Sequence, residues 1–208
     1  MSSENKKKKT EMMSNESTPE RIYAFSDGVF AIIITIMVLE LKKPAAASFS
    51  ALFQLWPTWI SYGVSYLFIA IVWINHHYLL SYARSTRLRL MWANFSHLFS
   101  VSLIPFLTDW MADTRLQSVP VAMYAFVFLL VNATYLWLAW ETLYNCMTPA
   151  ISKKAQRLLN LRSFITMSIF IGAMIIAMWS PFLAFGLIIC CLLLYLRPEL
   201  PEVMAVKE

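Results

Sequence analysis

The 208-residue chain is poor in charge, glycine, cysteine and histidine: 14% Asp, Glu, Lys and Arg, four glycines, three cysteines and three histidines. So little charge cannot coat a soluble domain, and 59% hydrophobic residues with a mean hydropathy of +0.59 place the chain in the membrane. Cys146, Cys190 and Cys191 offer neither a disulfide framework nor the spacing of a metal site. No HExxH or GxSxG string occurs, so neither catalysis nor a cofactor is expected. Residues 1–20 lack an apolar run before a cleavage site and read as a disordered basic tail rather than a signal peptide.

What the chain has is long apolar runs. A hydrocarbon core about 30 Å thick takes about 20 helical residues per crossing. Polar or proline-marked breaks divide the sequence into six candidate helices, over residues 22–41, 51–80, 90–113, 119–144, 161–179 and 182–196. The last two are separated only by Ser180 and Pro181, which suits a tight hairpin at the membrane surface. Trp56, Trp59, Trp110, Tyr144, Trp179 and Tyr195 fit interfacial anchoring. The predicted fold is an all-α integral membrane protein, with a six-helix domain over 21–197 and a short cytoplasmic tail over 198–208.

Orientation follows from the basic residues. Six spans put Lys6–Lys9, Arg21, Arg84, Arg87, Arg89, Lys153, Lys154, Arg157, Arg162, Arg197 and Lys207 on one side, leaving only Lys42, Lys43 and Arg115 opposite. By the positive-inside rule both termini are cytoplasmic, in a multi-pass protein of the plasma membrane. The same asymmetry accounts for the net charge of +5 without a nucleic-acid partner. The partner expected on these grounds is membrane lipid.

The first helix, RIYAFSDGVFAIIITIMVLEL, carries an acid near its start. An ionised carboxylate at membrane depth needs pairing or solvation, so Asp27 calls for partners. Arg21 lies six residues earlier, while Asn75, His76 and His77 end the second helix and Asn94 and His97 open the third, all at one depth. A hydrogen-bonded cluster locking three helices is the leading reading of these groups. A carrier site formed by Asp27, His76 and His77 is the alternative. A carrier usually shows broken helices or internal repeats, and here the two halves show no repeat and the chain has few glycines. Along the same helix Ile32, Ile36 and Leu39 trace one face with Thr35 beside it, and Asp27, Ala31, Ile34 and Val38 trace another. If the Asp27 face meets the cluster, the Ile32 face is left for another surface. Glu40, Asp109, Asp113 and Glu141 read as solvated or interfacial helix ends.

Arg21, then Phe25-Ser26-Asp27-Gly28 heading the first span, WINHHYLL ending the second, and Asn94 with Leu103 to Phe106 in the third together resemble the transmembrane protein 175 family of potassium channels. The likeness covers the first three helices. It implies a homotetramer for a single-repeat chain such as this, with the first helices lining a central pore permeant to K+. It further implies that Ile32, five positions after the motif aspartate, forms the constriction, that Ile36 and Leu39 line the pore, and that Thr35 supplies a ring bearing on selectivity. Arg21, Ser26 and Asp27, with Asn75, His76, His77 and Asn94, correspond to a polar network that holds the pore helix. Gly28 and Ala31 are expected to let neighbouring backbones approach closely. Proton permeation is implied as well. The chain has no TVGYG string, so carbonyl coordination of the usual potassium-channel type is not expected.

Overall fold

The computed structural model describes residues 19–83, 85, 87–146 and 153–194. The predicted 198–208 tail and most of the predicted 1–20 tail lie outside the described residues, as do Arg84, Tyr195 and Arg197. The elements in order are α1 (Pro19–Leu39), α2 (Phe49–Phe53), α3 (Trp56–Ser81), α4 (Leu88–Ser102), α5 (Ile104–Asp113), α6 (Ser118–Trp140), a π-helical turn (Glu141–Cys146), α7 (Lys153–Ala177) and α8 (Pro181–Leu194).

Among the described residues, five helical segments are long and apolar enough to cross a membrane: α1, α3, α4 with α5, α6 with the start of the π turn, and α7. The sixth predicted span corresponds to α8, which is apolar but shorter. The second predicted span begins not as one helix but as the single turn α2, capped by Ser48, whose hydroxyl accepts from the Ala51 amide at 3.2 Å. The third is broken at Leu103. Pro105 has no amide hydrogen to give to the preceding turn, so the α4 ladder stops there and α5 restarts with proline in its first turn. After α5, Arg115 and Leu116 adopt positive φ (52° and 62°), and Leu116 buries its side chain while its amide bonds back to the Met111 carbonyl at 2.9 Å.

Helix α6 is the hub, packing against α4, α5, α7 and α8, whereas α1 lies on one side against α3, α4 and α5. Where α3, α6 and α7 meet, the Phe68 and Phe128 rings stack with centroids 3.5 Å apart and Phe170 meets Phe128 edge-on at 5.6 Å. In lipid such rings gain little from leaving water, so close van der Waals contact is what holds them. One turn away on α6, buried Tyr124 bonds Ser65 (2.7 Å), which bonds Thr108 (2.6 Å), joining α3, α5 and α6.

Candidate functional site

Helix α1 opens with Pro19 and Glu20, a proline and an acid suited to a helix N-terminus. Its packed edge is Ile22, Ser26, Phe30, Ile33 and Met37, all buried and spaced three or four residues apart. This differs from the expectation that the Asp27 stripe faces the polar cluster. Asp27 is only half-buried, and Ala31 and Val38 of its stripe are exposed. Ser26, one residue earlier and fully buried, is the group turned inward.

Ser26 enters a three-helix bridge. The Asn94 amide nitrogen donates to Ser26 Oγ at 3.0 Å, and the Asn94 amide oxygen accepts from His76 Nε2 at 2.7 Å. One amide thus ties α1 to α3 through α4, spending its donor on one neighbour and its acceptor on the other. Behind it the His76 and His97 rings stack nearly parallel, with centroids 5.7 Å apart. His97 Nδ1 in turn lies 3.2 Å from Thr134 Oγ1, carrying the chain of contacts into α6.

Asp27 takes a separate partner, accepting from the Trp73 indole at 2.8 Å. The His77 ring lies 5.6 Å from Trp73, one helical turn along α3, and is exposed. Arg21 is exposed beside Phe25, Met91 and Phe95 and makes no ion pair among the described residues. Asn75 is buried at a cavity shared with His97. The expected cluster is therefore two strands: Ser26, Asn94 and His76 inside, Asp27, Trp73 and His77 outside. A carrier site of Asp27, His76 and His77 finds no common centre, because His76 is enclosed between Asn94 and His97. Among the described residues, no three His, Cys, Asp or Glu side chains are grouped to hold a metal ion.

The opposite edge of α1 is uncovered. Ile32 is 58% exposed, Ile36 42% and Leu39 82%, with Ala24, Gly28, Ala31 and Thr35 alongside. Among the described residues nothing lies within 4 Å of a Cβ built on Gly28, so the close backbone contact expected there is not made by them. Thr35 Oγ1 donates to the Ile32 carbonyl at 2.8 Å. Its one proton is thereby committed to its own helix, and its lone pairs are left facing outward.

Beyond α1, Lys42 Nζ sits 2.7 Å from Asp113 and 3.7 Å from Asp109, tying the outgoing loop to the end of α5. The hydrogen bond to Asp113 holds the lysine pKa above its usual value. Sequence reasoning treated these acids as free helix ends. It also missed Trp73, Tyr23, whose hydroxyl bonds the Leu80 carbonyl, and the Ser65–Thr108–Tyr124 set.

The family of the endosomal/lysosomal potassium channel TMEM175 matches residues 21–105, the segment that holds both strands. A potassium channel of Chryseobacterium sp. (strain P1-3) is 31% identical over 191 residues, covering 92% of this chain and 99% of that one. The chain belongs to the TMEM175 family. The endosomal/lysosomal proton channel TMEM175 of Danio rerio is 32% identical over 99 residues, 41% of this chain and 19% of its own much longer one. Among solved structures, the lysosomal potassium-selective channel TMEM175 homolog from Chamaesiphon minutus superposes with a TM-score of 0.72 at 26% identity, covering 85% of this chain and 95% of that one. That likeness extends well past the three helices whose motifs carried the resemblance.

Proposed function

We propose that the protein is a potassium-selective channel of the plasma membrane, a homotetramer of six-helix subunits whose α1 helices line one central pore. The observation that carries this reading is the division of α1 into a hydrogen-bonded edge and an aliphatic edge that its own subunit leaves uncovered. Four copies would turn Ile32, Ile36 and Leu39 toward a common axis. The Ser26–Asn94–His76 bridge, seconded by Asp27 with Trp73 and His77, would fix the rotation that keeps them there. Arg21 would lie at the cytoplasmic headgroups and Asn75 would back the bridge. Both termini are cytoplasmic in this arrangement, α8 is the sixth span, and lipid covers the remaining apolar surface.

The mechanism is that of a hydrophobic neck. A ring of Ile32 side chains excludes water when narrow and passes a partly dehydrated cation when slightly wider. Potassium sheds hydration water more readily than sodium, which biases passage. The outward lone pairs of Thr35 stand in for part of the lost shell. Proton permeation belongs to the same proposal, on the strength of the zebrafish relative. Ile32→Asn and Ile32→Ala, reconstituted in vesicles, are expected to raise cation flux several-fold and to lower the preference for K+ over Na+. Wild-type flux and selectivity in both variants would refute the assignment of the constriction.

A further inference from the structure

Near the start of α1 and α4 a groove of about 270 Å³ runs between the two helices, lined by Arg21, Ile22 and Phe25 on one wall and by Met91, Asn94 and Phe95 on the other. Arg21 stands at its outer end. Phe25 lies four residues, or about 6 Å, further along the helix and meets Phe95 edge-on, with ring centroids 5.5 Å apart. Asn94 borders the groove with an amide already engaged by His76 and Ser26. The groove is therefore cationic at one end and apolar along the rest. Its cation is uncommitted: Arg21 is exposed and pairs with no acid among the described residues. The neighbouring acids are turned away, since Glu20 lies toward Tyr23, whose hydroxyl bonds the Leu80 carbonyl, and Asp27 accepts from Trp73. Arg87, exposed at the head of α4 and one turn before Met91, adds a second positive charge at that end.

We propose that this groove holds one anionic phospholipid per subunit, of the phosphatidylglycerol class, with its phosphate on Arg21 and an acyl chain over Phe25, Met91 and Phe95. A planar guanidinium suits phosphate because two of its N–H groups can meet two oxygens at once. Charge complementarity favours lipid over a second copy of the chain. The side of the membrane that receives Arg21 receives nearly every other basic residue, so a neighbouring subunit brings mostly like charge there, whereas the cytoplasmic leaflet is anionic. A soluble phosphate would meet the arginine and leave the aromatic walls uncovered. The proposal rests on the cytoplasmic placement of the start of α1 and not on which edge of that helix borders the pore. A lipid so held lies against α1 beside its bond to Asn94, and braces the helix from the membrane side.

The test offers the full-length protein, purified free of lipid in neutral detergent, either phosphatidylglycerol or phosphatidylcholine with the same acyl chains. Bound lipid is counted by native mass spectrometry, alongside the unfolding temperature. Phosphatidylglycerol should bind on the order of tenfold more tightly. Arg21→Gln should remove that preference, while Arg157→Gln, at an exposed arginine near the start of α7, should keep most of it. Met91→Trp, which fills the groove and leaves both arginines in place, should remove the preference as well, and it carries the test if the Arg21 variant does not fold. Equal binding of the two lipids, equal losses at Arg21 and Arg157, or a preference retained in Met91→Trp would each overturn the proposal. So would glycerol phosphate binding as tightly as the whole lipid, or a neighbouring subunit filling the groove in a cryo-electron microscopy map recorded with phosphatidylglycerol. None of these readouts measures ion flux, so the proposed pore is judged separately.

Discussion

Helices α1 and α6 are both apolar almost throughout, yet one subunit treats them in opposite ways. In its most apolar stretch α1 has 22% of its residues buried, whereas the span formed by α6 and the start of the π turn has 50%. Helix α6 meets partners on several sides, and its Tyr124 and Phe128 are locked among α3, α5 and α7. Helix α1 is fastened along a single edge. The difference teaches that apolarity marks a membrane helix without saying what will cover it. The uncovered side is read from where the polar fastenings are, since a helix pinned on one edge must show the other to something outside the subunit.

The largest effect that separates the two helices should come from the hub. Phe128→Ala removes a ring in contact with Phe68, Tyr124 and Phe170 and should cost about 3–5 kcal/mol, seen as a steep drop in unfolding temperature in detergent. A loss no greater than that of a lipid-facing substitution such as Phe126→Ala would dissolve the contrast.

Next comes the fastening itself. Asn94→Leu strands the His76 donor and the Ser26 hydroxyl, with a penalty of roughly 1–3 kcal/mol for a buried group left unpaired. If the bridge sets the rotation of α1, as proposed, ion selectivity should fall together with stability. Selectivity preserved at reduced stability would mean that the bridge holds the bundle without aiming the helix.

These particulars show what was readable beforehand. The five long apolar spans follow from composition, whereas the break before Pro105 does not, since residues 90–113 read as one apolar run. Nor does the inward edge of α1: the helix is apolar on every side, so periodicity cannot rank the Ser26 edge above the Asp27 stripe. Trp73 was hidden because an indole within an apolar span reads as one more apolar side chain, although its N–H also seeks an acceptor. Ser65 and Thr108 were hidden for another reason. A membrane-helix hydroxyl can satisfy itself on its own backbone, as Thr108 does with the Ile104 carbonyl, so its sequence gives no sign of a partner on another helix.

A smaller effect is expected at the far end of α1. Lys42→Met breaks an exposed ion pair with Asp113 and Asp109, worth less than about 1 kcal/mol and weakened by salt. The folded-state pKa of Lys42 is raised, so its contribution is complete below the ordinary lysine value and disappears only as pH climbs through the raised one. Unfolding temperatures of wild type and Lys42→Met should therefore differ by a constant small amount across neutral pH and converge in strong alkali. A gap that opens or closes near neutrality would assign the contact to some other titrating group.

The smallest effect on stability belongs to Thr35, and it bears most directly on the exposed edge. Its hydroxyl proton is given to the Ile32 carbonyl, so the oxygen can only accept from its outer side, which is what a dehydrating cation requires. Thr35→Val keeps the branched shape, removes that oxygen, and should leave the unfolding free energy within about 0.5 kcal/mol of wild type. The K+ over Na+ preference in vesicles should fall several-fold, while Thr35→Ser, which restores the oxygen, keeps it. If valine discriminates as well as threonine, the neck selects by the ease of dehydration alone, and the hydroxyl serves only the backbone of its own helix.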